Sequence, residues 1–273
     1  MFAGGVEWTS TMLKSLYHAY EDPAVALALQ SACEAQVVSW RWATDSMGYD
    51  EPYISEIVGA RPSRWVPDAK ADARRHVRHG LDADGRIVLE RGSSGRTWVW
   101  LYQGDCRYYI DFSSGGYISG VSEFRESNGR LQSLKRLDDS SSIDSTYDWD
   151  GDRLLRTVTC SRRRGERVDW RQHLFSYTDG GQLDCIVLEY MDRYRRPIGQ
   201  QERIYQRPRP GETLAAVAAD VERLLIEAIA AQLPRIPRDE PLYCLLLCFT
   251  ESDFTAAWPP FLVWGRQPYR EAV

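Results

Sequence analysis

The chain has 273 residues, 43% hydrophobic and 12% aromatic, a folded composition with room for one large domain or two modest ones. A net charge of −5 argues against a nucleic-acid ligand, which calls for a basic excess on one face. No apolar run approaches the roughly 20 residues that span a bilayer, the N-terminus lacks a signal-peptide pattern, and six cysteines without a CxxC pair read as reduced thiols, so a cytoplasmic location is expected.

Residues 10–47 read as helical. Thr9 or Ser10 can cap a first helix through Tyr20, and Asp22-Pro23 opens a second as cap and first turn. Val25, Leu29, Ala32 and Gln36 share one face of that second helix, and Trp40 with Trp42 closes it. Turn-formers at Gly48, Pro52, Gly59, Pro62 and Pro67 mark a connector with one short helix at 53–58, and 68–79 predicts a helical turn on the surface. This N-terminal segment, 1–79, gives way at 80–206 to strand-like runs separated by Gly, Asp, Asn and Ser turns. The aromatic alternation of Trp98, Trp100 and Tyr102 predicts a sheet with two distinct faces. Beyond the Pro-rich break at 207–211, the spacing of Leu214, Val217, Val221, Leu224 and Leu225 predicts a helix over 212–232 with Thr213 as cap. The apolar run 242–249 predicts a strand buried on both faces, and Phe261–Trp264 a last one, which closes a small unit at 207–273. The expected fold class is α+β: N-terminal helices, a long antiparallel β-sheet of consecutive hairpins, and a C-terminal helix plus buried strand.

Five turns in the β region share a pattern. They centre on Gly85 in Leu81-Asp-Ala-Asp-Gly-Arg-Ile87, on Gly116, on Gly129, on Gly151 after Tyr147-Asp148, and on Gly181 after Tyr177. A polar pair ending in Gly supplies the positive φ of a tight hairpin, and the large flanking residues land on one face. Their uneven spacing predicts an open or curved sheet rather than a strict solenoid. This pattern resembles the YD repeat of RHS-type bacterial proteins, Tyr-Asp-x-x-Gly-Arg-Leu, with Tyr147-Asp148-x-x-Gly151 as the best match, although Asp152 interrupts before Arg153-Leu154. Five turns are too few for the closed shell of the large family members. The chain resembles more closely small stand-alone bacterial hairpin proteins, among them immunity proteins of polymorphic toxin systems. That resemblance implies a cognate protein toxin as partner.

The stretch 138–152 holds six carboxylates and no base, a surface suited to a basic partner. The expected partner-binding residues are Asp144, Asp148, Trp149, Asp150 and Asp152, with Trp98, Trp100 and Tyr102 next if their face is exposed. Asp148, Asp150 and Asp152 alternate like a Ca²⁺ loop, yet Arg153 and Thr159 stand where an EF-hand needs Gly and Glu, so no metal is expected. The arginines at 162–164 form a charged hairpin tip that either stays solvated, touches nucleic acid or pairs with the acidic stretch. His76 and His79 read as surface histidines. No catalytic or cofactor-binding motif occurs. The leading expectation is a non-enzymatic protein-binding module, specifically an immunity protein that occludes a toxin. The alternatives are an enzyme with dispersed residues in a sheet/helix cleft and an assembly module that self-associates through a sheet edge.

Overall fold

A computed structural model describes residues 11–47, 51–163, 168–235, 242–248 and 261–266. The expected cap at Thr9 or Ser10 and the arginine tip beyond Arg163 lie outside the described residues. Helix α1 spans Thr11–Ala19 and α2 Pro23–Glu34, where the Asp22 carboxylate accepts from the Ala24 N–H at 2.8 Å and Pro23 takes the first turn. A short helix α3 follows at Ile54–Val58.

Two stretches read as helical are strands. Ser39–Ala43 is β1, which pairs with β2 (Trp65–Val66) on one side and with β3 (Val77–Leu81) on the other. Trp40 and Trp42 are two apart, a strand period, and lie on one side of β1, where the Arg78 guanidinium stacks 4.4 Å from the Trp40 ring. In 68–79 only Asp68–Lys70 makes a 3₁₀ turn. Asp72 then caps one separate turn: its carboxylate accepts from the Arg74 N–H, its carbonyl from the Arg75 and His76 N–H groups, and its own N–H donates to His76 Nδ1, all at 2.9 Å, and the chain goes on as strand from Val77.

The hairpin region forms as expected. Strands β4 (Ile87–Arg91), β5 (Thr97–Gln103), β6 (Cys106–Phe112), β7 (Ile118–Ser127) and β8 (Arg130–Asp138) follow one another in space as in sequence. They continue through β9 (Ser141–Asp150), β10 (Arg153–Arg163), β11 (Asp169–Tyr177), β12 (Leu183–Met191) and β13 (Pro197–Gln206). With β1, β2 and β3 they make one antiparallel sheet of 13 strands, ordered β13 to β3, then β1, then β2. All five key glycines lie at positive φ, from 54° at Gly151 to 78° at Gly116. The fold is α+β and mostly β.

The sheet buries both faces. On the first, the row Leu89, Val99, Ile110, Val121 and Leu137 runs straight across β4 to β8, and α1 and α2 pack on it through Leu13, Ala26 and Cys33. On the second, Trp100, Tyr109, Phe124, Leu134, Tyr147, Phe175 and Ile186 form a core against which Tyr53 and Ile57 of the α3 segment pack. Burying each of these side chains contributes on the order of 1.5–3 kcal/mol.

The chain divides into two compact units, Met1–Tyr205 and Gln206–Val273. In the second, α4 (Leu214–Gln232) is capped by Thr213, whose hydroxyl accepts from the Ala216 N–H at 3.1 Å. Strands β14 (Leu242–Cys248) and β15 (Phe261–Arg266) form a separate antiparallel pair. The expected burial of both faces of β14 concerns side chains outside the described residues. Among the described residues no helix is long and apolar enough to cross a membrane.

Candidate functional site

Strand alternation separates the aspartates from the aromatic residues expected beside them. Asp144, Asp148 and Asp150 lie on the first face of β9, whereas Ser145, Tyr147 and Trp149 lie on the second. Asp148 accepts from Arg156 Nε at 2.8 Å, Asp152 pairs with Arg130 at 2.6 Å, and Asp150 stands in register with Arg153. Two of the six carboxylates, Asp148 and Asp152, are thus matched by arginines. Trp149 donates its indole N–H to the Leu131 carbonyl at 2.8 Å and packs against the second core.

Trp98, Trp100 and Tyr102 share the second face. Trp100 is 1% exposed, so the condition for its serving as a contact is not met. Its indole N–H donates to Glu90 Oε1 at 2.8 Å. Trp98 and Tyr102 are half-buried; the Tyr102 hydroxyl donates to the Ile87 carbonyl at 2.9 Å, and burial pushes its pKa up to about 12.

The histidine expectation needs correction. His79 is completely buried on β3, with its Nε2 3.2 Å from the Asp45 carbonyl and its Nδ1 3.7 Å from Glu90, and burial holds its pKa well below the usual range. His173 is 6% exposed on β11, 3.0 Å from the Thr157 hydroxyl, and its pKa falls to about 4 through burial and then the nearby Arg171. Strand pairing carries both into the interior, which a helical reading of 68–79 could not show for His79.

One predicted residue does sit in a distinct cavity. On the first face, Lys135, Asp144, Cys160, Trp170 and Met191 lie opposite one another from β8, which α1 touches, to β12. Asp144, Val158, Cys160, Arg162, Trp170 and Arg195 line a groove of about 100 Å³ over this row. Arg195 comes from the β12–β13 turn and stacks 4.4 Å above the Trp170 ring. Burial raises the Asp144 pKa, while Lys135, Arg162 and Arg195 pull it down and Glu123 adds to the rise. Burial also raises the Cys160 thiol pKa, with the Arg162 guanidinium opposing. Arg162 and Asp144 thus line the same groove.

Trp170 and Arg195 escaped the sequence reading. The signal for Arg195 was present as Asp192-Arg-Tyr-Arg195-Arg196, which matches the Asp82-Ala-Asp-Gly85-Arg86 turn with Arg in place of the key Gly. Both turns close with the first Asp N–H donating to the Arg carbonyl at 2.9 Å, and in each that Asp carboxylate binds the Arg side chain. No known protein-family model matches this sequence, and no curated protein matches it at a significant level.

Proposed function

We propose that this chain is a non-enzymatic protein-binding module, in its most specific form a cytoplasmic immunity protein that occludes a bacterial toxin. The observation that carries the reading is the surface around the β12–β13 turn. There Arg195 lies over Trp170, Arg193 stacks 4.7 Å from the Tyr194 ring, and Tyr194 is 62% exposed. Arginine and aromatic side chains are the types enriched at binding hot spots, because each offers much contact area with few degrees of freedom to order. Of the β9 aspartates, Asp144 lies on the strand row that leads to this turn, and beside Arg162 and Arg195 it favours a protein partner of mixed charge.

The test is affinity capture with the tagged full chain from its source cells, at low and moderate salt, followed by coexpression of the captured protein. A single stoichiometric partner that arrests growth alone and is silenced by this chain is the expected result. Trp170→Ala with Tyr194→Ala should weaken capture at least tenfold. A partner that is harmless would sink the immunity form. A partner retained at full strength by the double variant would move the interface away from this surface, and Asp148→Lys with Asp150→Lys then asks whether β9 carries it.

A further inference from the structure

We propose that the groove on β9 to β11 is a socket for one oxyanion, a carboxylate or phosphate group, gripped by Arg195 and Arg162 against Trp170. The proposal goes beyond the protein-binding reading and does not need it, since a free oxyanion is a sufficient ligand.

The first observation is conformational. Five turns share one hydrogen-bond frame, at 82–86, 92–96, 113–117, 178–182 and 192–196. In four of them the fourth residue is Gly85, Gly95, Gly116 or Gly181, at φ between 77° and 81°. In the fifth it is Arg195, at φ 60°. A residue with a Cβ is strained there, and non-glycine residues in this region concentrate where function holds them. From this turn the Arg195 guanidinium lies over Trp170 in the lining of the groove.

The second observation is charge. The charged groups that line the groove are two guanidiniums, Arg162 and Arg195, and one carboxyl, Asp144, so it has more cationic than anionic groups. A guanidinium presents parallel N–H donors that match two oxygens of a carboxylate or phosphate, and stacking on an indole fixes its plane. The third is size. About 100 Å³ admits one small polyatomic group and excludes a whole nucleotide or cofactor.

The experiment is NMR on the ¹⁵N-labelled full chain, following the Trp170 indole N–H, which Trp170→Phe identifies. Sodium phosphate, sodium acetate and sodium chloride are titrated separately at constant ionic strength. A saturable shift with phosphate, acetate or both, and none with chloride, is expected, and whichever oxyanion saturates at lower concentration names the natural group. Arg195→Gly should weaken binding at least tenfold while leaving the melting temperature unchanged or raised by about 2–4 °C, because it relieves backbone strain. Arg162→Gln should weaken binding in a second, unstrained position. Asp144→Asn removes a like charge and should tighten binding several-fold. No shift with either oxyanion, a shift that survives Arg195→Gly, or its loss in Asp144→Asn would overturn the proposal, the last by assigning the groove to a cation.

Discussion

Trp100 shows how one side chain can serve both a core and a polar group. Its ring lies 4.6 Å from Tyr109 and 5.5 Å from Phe124, and its N–H reaches the completely buried Glu90. Trp100→Phe keeps most of the apolar area and removes the donor to Glu90. A loss of about 2 kcal/mol is expected from urea unfolding, because removing the donor leaves a buried acceptor unsatisfied, at a cost of about 1–3 kcal/mol. A change below about 0.5 kcal/mol would mean that the indole acts through packing alone. His173 carries a pH signature of definite sign. Its pKa falls from 6.5 to about 4 on folding, so the unfolded chain takes up the proton first as pH drops. Its contribution is fully present above 6.5 and fades as pH falls toward about 4, by on the order of 1.4 kcal/mol per pH unit. Unfolding measured at pH 7 and pH 5 should show a shallower dependence for His173→Gln than for the parent chain; equal slopes would place the effect at other groups.

At the scale of the element, the turns are where local chemistry speaks most directly. Gly85 lies at φ 77° with no atom within 4 Å of the position a Cβ would take. Gly85→Ala should therefore cost about 1 kcal/mol through backbone strain alone, without a clash, and chemical unfolding that shows no loss would refute a left-handed turn there. Such turns were legible from residue type, as were the caps at Asp22 and Thr213 and the bounds of most strands, because each depends on a few neighbouring residues. The sequence misled at β1 and β3. Trp40 and Trp42 were read as the end of a helix because the Ala-rich run before them is helical, yet a period of two is what a strand needs. At β3, Val77 follows a polar, arginine-rich stretch, and the decisive information is its pairing with β1 and β4. Nothing local encodes a partner that lies some 35 residues earlier in the chain.

For the molecule as a whole, residue types and spacing determined the α+β class, the consecutive hairpins, the positive-φ turns and the two-faced aromatic strands. Each follows from short-range sterics or from the alternation of side chains along a strand. The tertiary structure alone decided which face meets which partner. It placed Trp100 in the core, paired Asp148 and Asp152 with arginines, and buried His79 and His173. It also assembled Asp144, Arg162, Trp170 and Arg195 from three strands and a turn, with residues up to 51 positions apart. A groove of this kind exists only once strand register is set, and register is fixed by the burial of whole rows of side chains across the sheet, an energy summed over distant residues that no single segment carries.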